Sequence, residues 1–425
     1  MMMRYGKATL SNKLKIVTHP MPDMQSVALG IWIKVGGRYE TQEYKGISHY
    51  LEHLLFKGSK QYSCRLLKES IEGVGGSLNG FTSEELTCYL VKLPHQHLDI
   101  ALDILSDMVL NPLLRSDDIQ KERTVILEEI KMYRDLPQSY VNELLDELLW
   151  PQQPLGLSIA GTPESVGKIH REELAAYKNK YYVPSNMVVS VAGKFEHKRF
   201  LKRVERIFKK SNALEDFSFS PVHETFTKPQ VKILPKATEQ THLALGFHGL
   251  KRDHPLRYAL AMLHVILGGN MSSRLFNEVR EKRGLAYEIG TQVRRFHDTG
   301  AFVVHAGIDN QNVSKAIEVI VKELSKVKRS LVSESEFTRA KDFYIGQLML
   351  ALEDTLDHML WIGETTACLD KIFELDEIIR SVARLKRADL KEVAQLLFQE
   401  EKLSLALIGP LENKEKSITE ILTIS

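Results

Sequence analysis

A chain of 425 residues is longer than one hydrophobic core usually supports, so two or more structural units are expected. Hydrophobic residues at 43% and charged residues at 26% are the balance of a well-folded globular protein and are far from those of a disordered or membrane chain. The 57 basic and 55 acidic side chains nearly cancel, which removes the electrostatic case for a nucleic-acid partner.

In chain order, the first clear element is Val27–Val35, rich in β-branched and aromatic residues and bounded by Gly36-Gly37, which predicts a strand. A helix follows, opened at Ser48 or in the Gly46 region, with Leu51, Leu54, Leu55 and Phe56 as its apolar face and Gly58 as its stop. Gly75–Thr82 reads first, on its residues alone, as a glycine-rich hairpin. Asp117–Asp135 has the pattern of a helix capped by Ser116, with Ile119, Ile126, Ile130 and Tyr133 as a core stripe. The apolar run Met187–Gly193 closes this half as a strand. Pro221, Pro229 and Pro235 then sit among polar residues, so 212–240 is expected to be a linker that lets two halves move. Beyond it, Arg280-Glu-Lys-Arg-Gly-Leu-Ala-Tyr287 reads equally well as a basic helix end with a packed tyrosine.

The chain is written twice. Val27-Ala-Leu-Gly30 recurs as Leu243-Ala-Leu-Gly246, and Met187–Gly193 recurs as Leu403–Gly409, both with an offset of 216. Leu114–Leu127 matches Val332–Ile345 at 218. The order of strands and helices within each half predicts an α+β fold: two homologous α/β sandwich domains, mainly antiparallel sheet packed with helices, related by internal duplication. The expected division is a first domain over 1–211, the linker 212–240, and a second domain over 241–425.

One short run carries chemistry. Successive residues of a helix turn by about 100°, so His49, Glu52 and His53 fall within an arc of about 100°. Two imidazoles one turn apart can each offer a ring nitrogen to zinc, with the glutamate between them placed for the open position where water sits. Catalytic zinc keeps three protein ligands, so a third is needed. Glu122 and Glu129 are two turns apart on the Asp117–Asp135 helix and share a face, whereas Glu128 is turned about 100° away and is expected to be solvated or paired. Glu129 is read as the third ligand of one zinc ion per chain and Glu122 as a supporting acid. In the second half, Val265, Gly268, Gly269 and Gln347 stand at the repeated positions, so that copy lacks a zinc site.

Gly46-Ile-Ser-His-Tyr-Leu-Glu-His-Leu-Leu-Phe-Lys-Gly58 resembles the signature of the pitrilysin and insulysin zinc metallopeptidases, the inverzincins, and the 76 residues from His53 to Glu129 are similar to the spacing in the mitochondrial-processing-peptidase branch. The resemblance implies zinc held by His49, His53 and Glu129, Glu52 as general base, and Glu122 in support. It also implies that Gly76, Ser77, Leu78, Asn79, Gly80, Phe81 and Thr82 form an edge strand that takes the substrate backbone by strand addition. Gly80 stands where the family usually has alanine. Arg280 and Tyr287 resemble the family's pair that holds the substrate backbone and donates to the developing oxyanion. The implied activity is that of a zinc-dependent endopeptidase, cleaving peptides or unfolded, presequence-like segments inside a closed chamber. Long family members carry four such domains in one chain, so a homodimer is expected, with active sites shared in trans. The competing expectation is a non-catalytic scaffold or core-type subunit of the same fold, which commonly loses residues this chain keeps.

Three scattered cysteines, Cys64, Cys88 and Cys368, point away from a disulfide framework and towards a reducing, cytoplasmic setting. Met1–Lys15 lacks a charged lead before an apolar stretch, and no run reaches the roughly 20 apolar residues that cross a bilayer, so no membrane association is expected.

Overall fold

The computed structural model describes residues 5–209, 217–224 and 227–424. Six strands form the sheet of the first unit: β1 (Gly6–Thr9), β2 (Lys15–Pro20), β3 (Ser26–Ile33), β4 (Ser77–Thr82), β5 (Thr87–Pro94) and β6 (Met187–Gly193). Their order is β1-β2-β6-β3-β5-β4, and only β2 and β6 pair in parallel. Five strands form the sheet of the second: β7 (Gln230–Pro235), β8 (Gln240–His248), β9 (Ala286–Arg295), β10 (Gly300–Asp309) and β11 (Ser404–Gly409). The order here is β7-β11-β8-β10-β9, with β7 and β11 the parallel pair. Without β1 the two orders match strand for strand, so the duplication read from short sequence matches is a duplication of topology.

Strand periodicity sets the two faces of the first sheet. Leu29, Ile31 and Ile33 of β3 enter one core together with Leu51, Leu54 and Leu55 of the helix Ile47–Leu55 and Ala101, Leu102 and Leu105 of the helix Leu98–Leu110. Each buried leucine there contributes about 1.5–3 kcal/mol relative to exposure. Ala28 and Trp32 point the other way, onto Met359 and Ile362 of the helix Thr355–Leu369. That approach is close: a Cβ on Gly363 would lie 2.1 Å from Nε1 of Trp32, whose indole N–H donates to Ser190 Oγ at 2.8 Å. The helix is pinned at both ends. Asp354 accepts from the backbone N–H of Leu356 and pairs with Lys92 at 2.5 Å, while Asp370, in the left-handed region at φ 55°, takes Lys7 and Lys15.

In the second unit the helix Pro137–Leu149 holds the corresponding place, its Val141, Leu144, Leu145 and Leu149 packing with Ala244, Val303, Ala406 and Ile408. Pro137 and Thr355 are 218 residues apart, the offset of the repeat. The compact units therefore do not follow a single cut through 212–240. The first is made of Met1–Lys131, Ser158–Ser220 and Met349–Glu374, the second of Met132–Leu157, Pro221–Leu348 and Leu375–Ser425. Each repeat gives one helix to the unit built on the other repeat's sheet, because an apolar helix face is buried where a matching sheet face lies, whatever its place in the chain. The expected linker also contains β7, which pairs with β11 over Gln230–Pro235; residues 212–216 and 225–226 of it lie outside the described residues. Among the described residues no helix is long and apolar enough to cross a membrane, and no disulfide joins Cys64, Cys88 and Cys368.

Candidate metal centre

The helix Ile47–Leu55 starts from Gly46, at φ 97°, where a Cβ would lie 2.6 Å from the carbonyl oxygen of Ala160. Glycine has no side chain with which to cap the helix. The carboxylate of Glu40 does so from outside, accepting from the N–H of Gly46 at 2.9 Å and of Ser48 at 2.8 Å. Lys45 Nζ stands 3.5 Å from that carboxylate and donates to the carbonyl of Gly37; burial lowers its pKa. Tyr50 reaches across to donate to the carbonyl of Ile119 in the helix Ser116–Asp135, which joins the two helices that carry the candidate ligands. On that second helix Ile119, Ile126 and Ile130 are buried as expected. Tyr133 is not: it is 39% exposed, because the last turn of the helix runs beyond the core. Glu128 pairs with Lys131 on the exposed side.

The structure brings His49, His53 and Glu129 together. Glu129 Oε2 lies 3.8 Å from Nε2 of His49 and 3.6 Å from Nε2 of His53, and one donor atom from each residue falls within 4.8 Å of the others. These are the only His, Cys, Asp or Glu side chains among the described residues that gather in this way. Donors 2.0–2.2 Å from a tetrahedral ion stand about 3.4 Å apart, so the set fits zinc with small adjustment, and two imidazoles with one carboxylate are a known zinc ligand set. Burial, with the neighbouring His53 charge second, lowers the pKa of His49 to about 4, so the imidazole is neutral, as a ligand must be. The Nδ1 of His53 is 3.1 Å from Oε2 of Glu122, a buried carboxylate; the matching Nδ1 of His49 is buried with no hydrogen-bond partner among the described residues.

Glu52, on the turn between the histidines, accepts a hydrogen bond from Thr82 Oγ1 at 3.0 Å. Burial raises its pKa, against the lowering effects of the Thr82 hydroxyl and His53, with Glu129 adding to the rise. Thr82 ends β4, which is an edge strand of its sheet and not an isolated hairpin. Burial alternates along it: Ser77, Asn79 and Phe81 are exposed, while Leu78, Gly80 and Thr82 turn inward, with Gly76 just before the strand. A Cβ on Gly80 would lie 3.0 Å from the tip of the Phe56 ring, a physical reason for glycine at this position.

Arg280 and Tyr287 belong to the second unit. Arg280 lies on the π-helical turn Phe276–Glu281, its guanidinium 4.7 Å from the Phe276 ring centroid and 5.6 Å from that of Tyr287. Tyr287 is the second residue of β9, itself an edge strand, and is 74% exposed. The repeat offset of 216 fails near the second copy's helix, Arg257–Leu267: Gly268 and Gly269 lie beyond its end. The connection from β8 to that helix, 249–256, is shorter than the one from β3 to the metal-bearing helix, 34–46, so the helix starts are offset by 210. Counted from either offset, no histidine pair stands there.

A mostly antiparallel duplicated scaffold thus carries two histidines one turn apart facing a glutamate from a second helix, with a further glutamate between them: a candidate three-donor metal centre. The chain belongs to the M16 (insulinase) peptidase family: its residues 15–163 match the profile described as "Insulinase (Peptidase family M16)" and 168–344 the one described as "Peptidase M16 inactive domain". A Bacillus subtilis protein named an uncharacterized zinc protease is 38% identical over 405 residues, 95% of this chain and 98% of the relative. A Streptomyces coelicolor protein with the same description is 36% identical, covering 97% and 91%. Among solved structures, a protease from Helicobacter pylori aligns with a TM-score of 0.90 at 23% identity, over 96% of this chain and all of that one. A Pseudomonas fluorescens structure titled as a peptidase M16 inactive domain aligns at 0.87 and 18% identity, over 96% and 98%; at these identities the likeness is one of fold.

Proposed function

We propose that the protein is a zinc-dependent endopeptidase in which His49, His53 and Glu129 hold the metal and Glu52 is the general base. The observation that carries the reading is the convergence of those three donors around one point, with Glu52 on the same helix. Zinc at such a site supplies Lewis acidity, polarising a peptide carbonyl and lowering the pKa of water. The protein's own part is proton handling and positioning. Glu52 takes a proton from the attacking water and passes it to the leaving amine, and its raised pKa suits a group that must both accept and return one. The open edge of β4 supplies unpaired backbone groups that an extended peptide can match as an added strand, with Ser77, Asn79 and Phe81 on the exposed face. Such docking selects extended segments more than particular side chains, which favours peptides and unfolded, presequence-like segments as substrates.

Arg280 and Tyr287 are assigned to substrate backbone and oxyanion, and the exposure of Tyr287 leaves its hydroxyl available for that role. Two chains are proposed to assemble as a homodimer enclosing a chamber, the pair from one chain completing the site of the other. Replacing Glu52 by glutamine tests the chemistry: zinc should stay bound at one per chain and peptide turnover should fall at least about 100-fold, the low end for loss of a general base. A variant that retained near-normal hydrolysis with metal bound would remove Glu52 from the mechanism.

A further inference from the structure

Lys57, two residues past the end of the metal-bearing helix, places its Nζ 2.5 Å from Oε1 of Glu122. The other oxygen of the same carboxylate is the one 3.1 Å from Nδ1 of His53, and the opposite ring nitrogen, Nε2, faces Glu129. The Glu122 side chain is only 6% exposed, against 34% for Lys57, so water cannot easily replace the lysine as its partner. We infer that Lys57 is a positioning residue for the metal centre, fixing the plane of the Glu122 carboxylate so that Oε2 accepts from the His53 Nδ1–H and the Nε2 lone pair is turned toward the ligand point.

A neutral imidazole carries its hydrogen on one nitrogen only, and the partner of that nitrogen decides which remains to bind a metal. A carboxylate held at one oxygen can do this; a carboxylate free to rotate can let the ring turn or change tautomer. Groups beyond the ligands that orient a histidine in this way are typically worth 10–100-fold in metal affinity. His49, whose Nδ1 has no partner among the described residues, has no comparable support, so the fixed geometry of the imidazole pair rests on the chain from Lys57 through Glu122 to His53.

This inference rests on the metal-site reading above, and its test separates the two. In zinc-free protein, nitrogen-15 NMR of the His53 ring reports the tautomer without any metal: the hydrogen should sit on Nδ1 in the natural chain and be redistributed in Lys57→Met. Zinc affinity, measured by competition with a chromophoric chelator, should weaken 10–100-fold in Lys57→Met. Lys57→Arg, which keeps a charged donor, should recover most of it. Lys57→Met combined with Glu122→Gln should lose no more than Glu122→Gln alone, since both act through one carboxylate. If zinc binds the natural chain and Lys57→Met binds it equally well, or if the two substitutions add in full, Lys57 has no such role. If Lys57→Met does not fold, the natural chain still decides, because a His53 ring with its hydrogen on Nε2 overturns the inference. Failure of the natural chain to bind zinc would instead strike the metal-site reading, leaving the tautomer comparison to judge Lys57.

Discussion

Replacing Glu40 by glutamine tests how the metal-bearing helix is held in place. The carboxylate accepts two backbone N–H groups at the helix start and lies 3.5 Å from the Lys45 ammonium, with both side chains almost fully buried. Glutamine can accept with its one oxygen but must turn an NH2 toward the second donor, so one charge-assisted bond, worth about 1.5–3 kcal/mol, is lost. The larger effect falls on Lys45, whose buried charge loses its adjacent carboxylate; breaking a buried pair from one side costs about 3–5 kcal/mol. A destabilisation of about 3–5 kcal/mol is therefore expected in the transition that unfolds the first unit, read by urea titration of zinc-free protein. Amide exchange at Gly46 and Ser48 should speed up by more than exchange elsewhere in the unit. Adding Lys45→Met should restore part of the loss, since an apolar side chain needs no counter-charge. A cost below about 1 kcal/mol, or no recovery in the double variant, would refute the view that Glu40 caps the helix by charge.

A second prediction concerns acid. Burial, aided by Arg295 and His305, lowers the pKa of His264 from 6.5 to about 4, so between those values the unfolded chain binds a proton that the folded one does not. Stability should be fully present above about pH 6.5, fall as pH drops toward 4, and level off below; this residue alone is worth about 3 kcal/mol across the window. His264→Gln, able to keep a bond to Thr291, should flatten that slope by close to one proton, and an unchanged slope would contradict the assignment. A third concerns assembly: mixing Glu52→Gln chains with Tyr287→Phe chains should restore activity, because a mixed dimer holds one intact site. No recovery with subunit exchange verified would argue for sites completed within one chain.

Most of the fold and much of the candidate site were legible in the sequence because they rest on local periodicity. Helical geometry alone puts His49 and His53 on one side and Glu122 and Glu129 on another helix's single face, and the structure needs only to bring those faces together. Glu40, Lys57 and the hydroxyl of Thr82 were not legible in their present roles. Each acts on a residue at least six positions away through a loop or a strand edge, and no repeat or spacing marks such a contact. The exchange of the helices Pro137–Leu149 and Thr355–Leu369 between units was hidden for the same reason: their apolar faces are visible in sequence, but the sheet that buries each is not. The second copy's helix shows the limit of a constant offset, since a shorter loop moved it out of register while β8 before it and the closing strand β11 keep the offset of 216.

The central claim is that a zinc ion at His49, His53 and Glu129 makes this chain a peptidase. Metal-stripped protein titrated with zinc, with cleavage of a peptide library followed by mass spectrometry at each step, tests it most directly. Cleavage should be absent at the start, rise in proportion to zinc and stop rising at one ion per chain, with Glu129→Gln showing neither tight binding nor cleavage. Cleavage that persists in stripped protein, or one zinc bound tightly per chain with no product from any peptide, would contradict it.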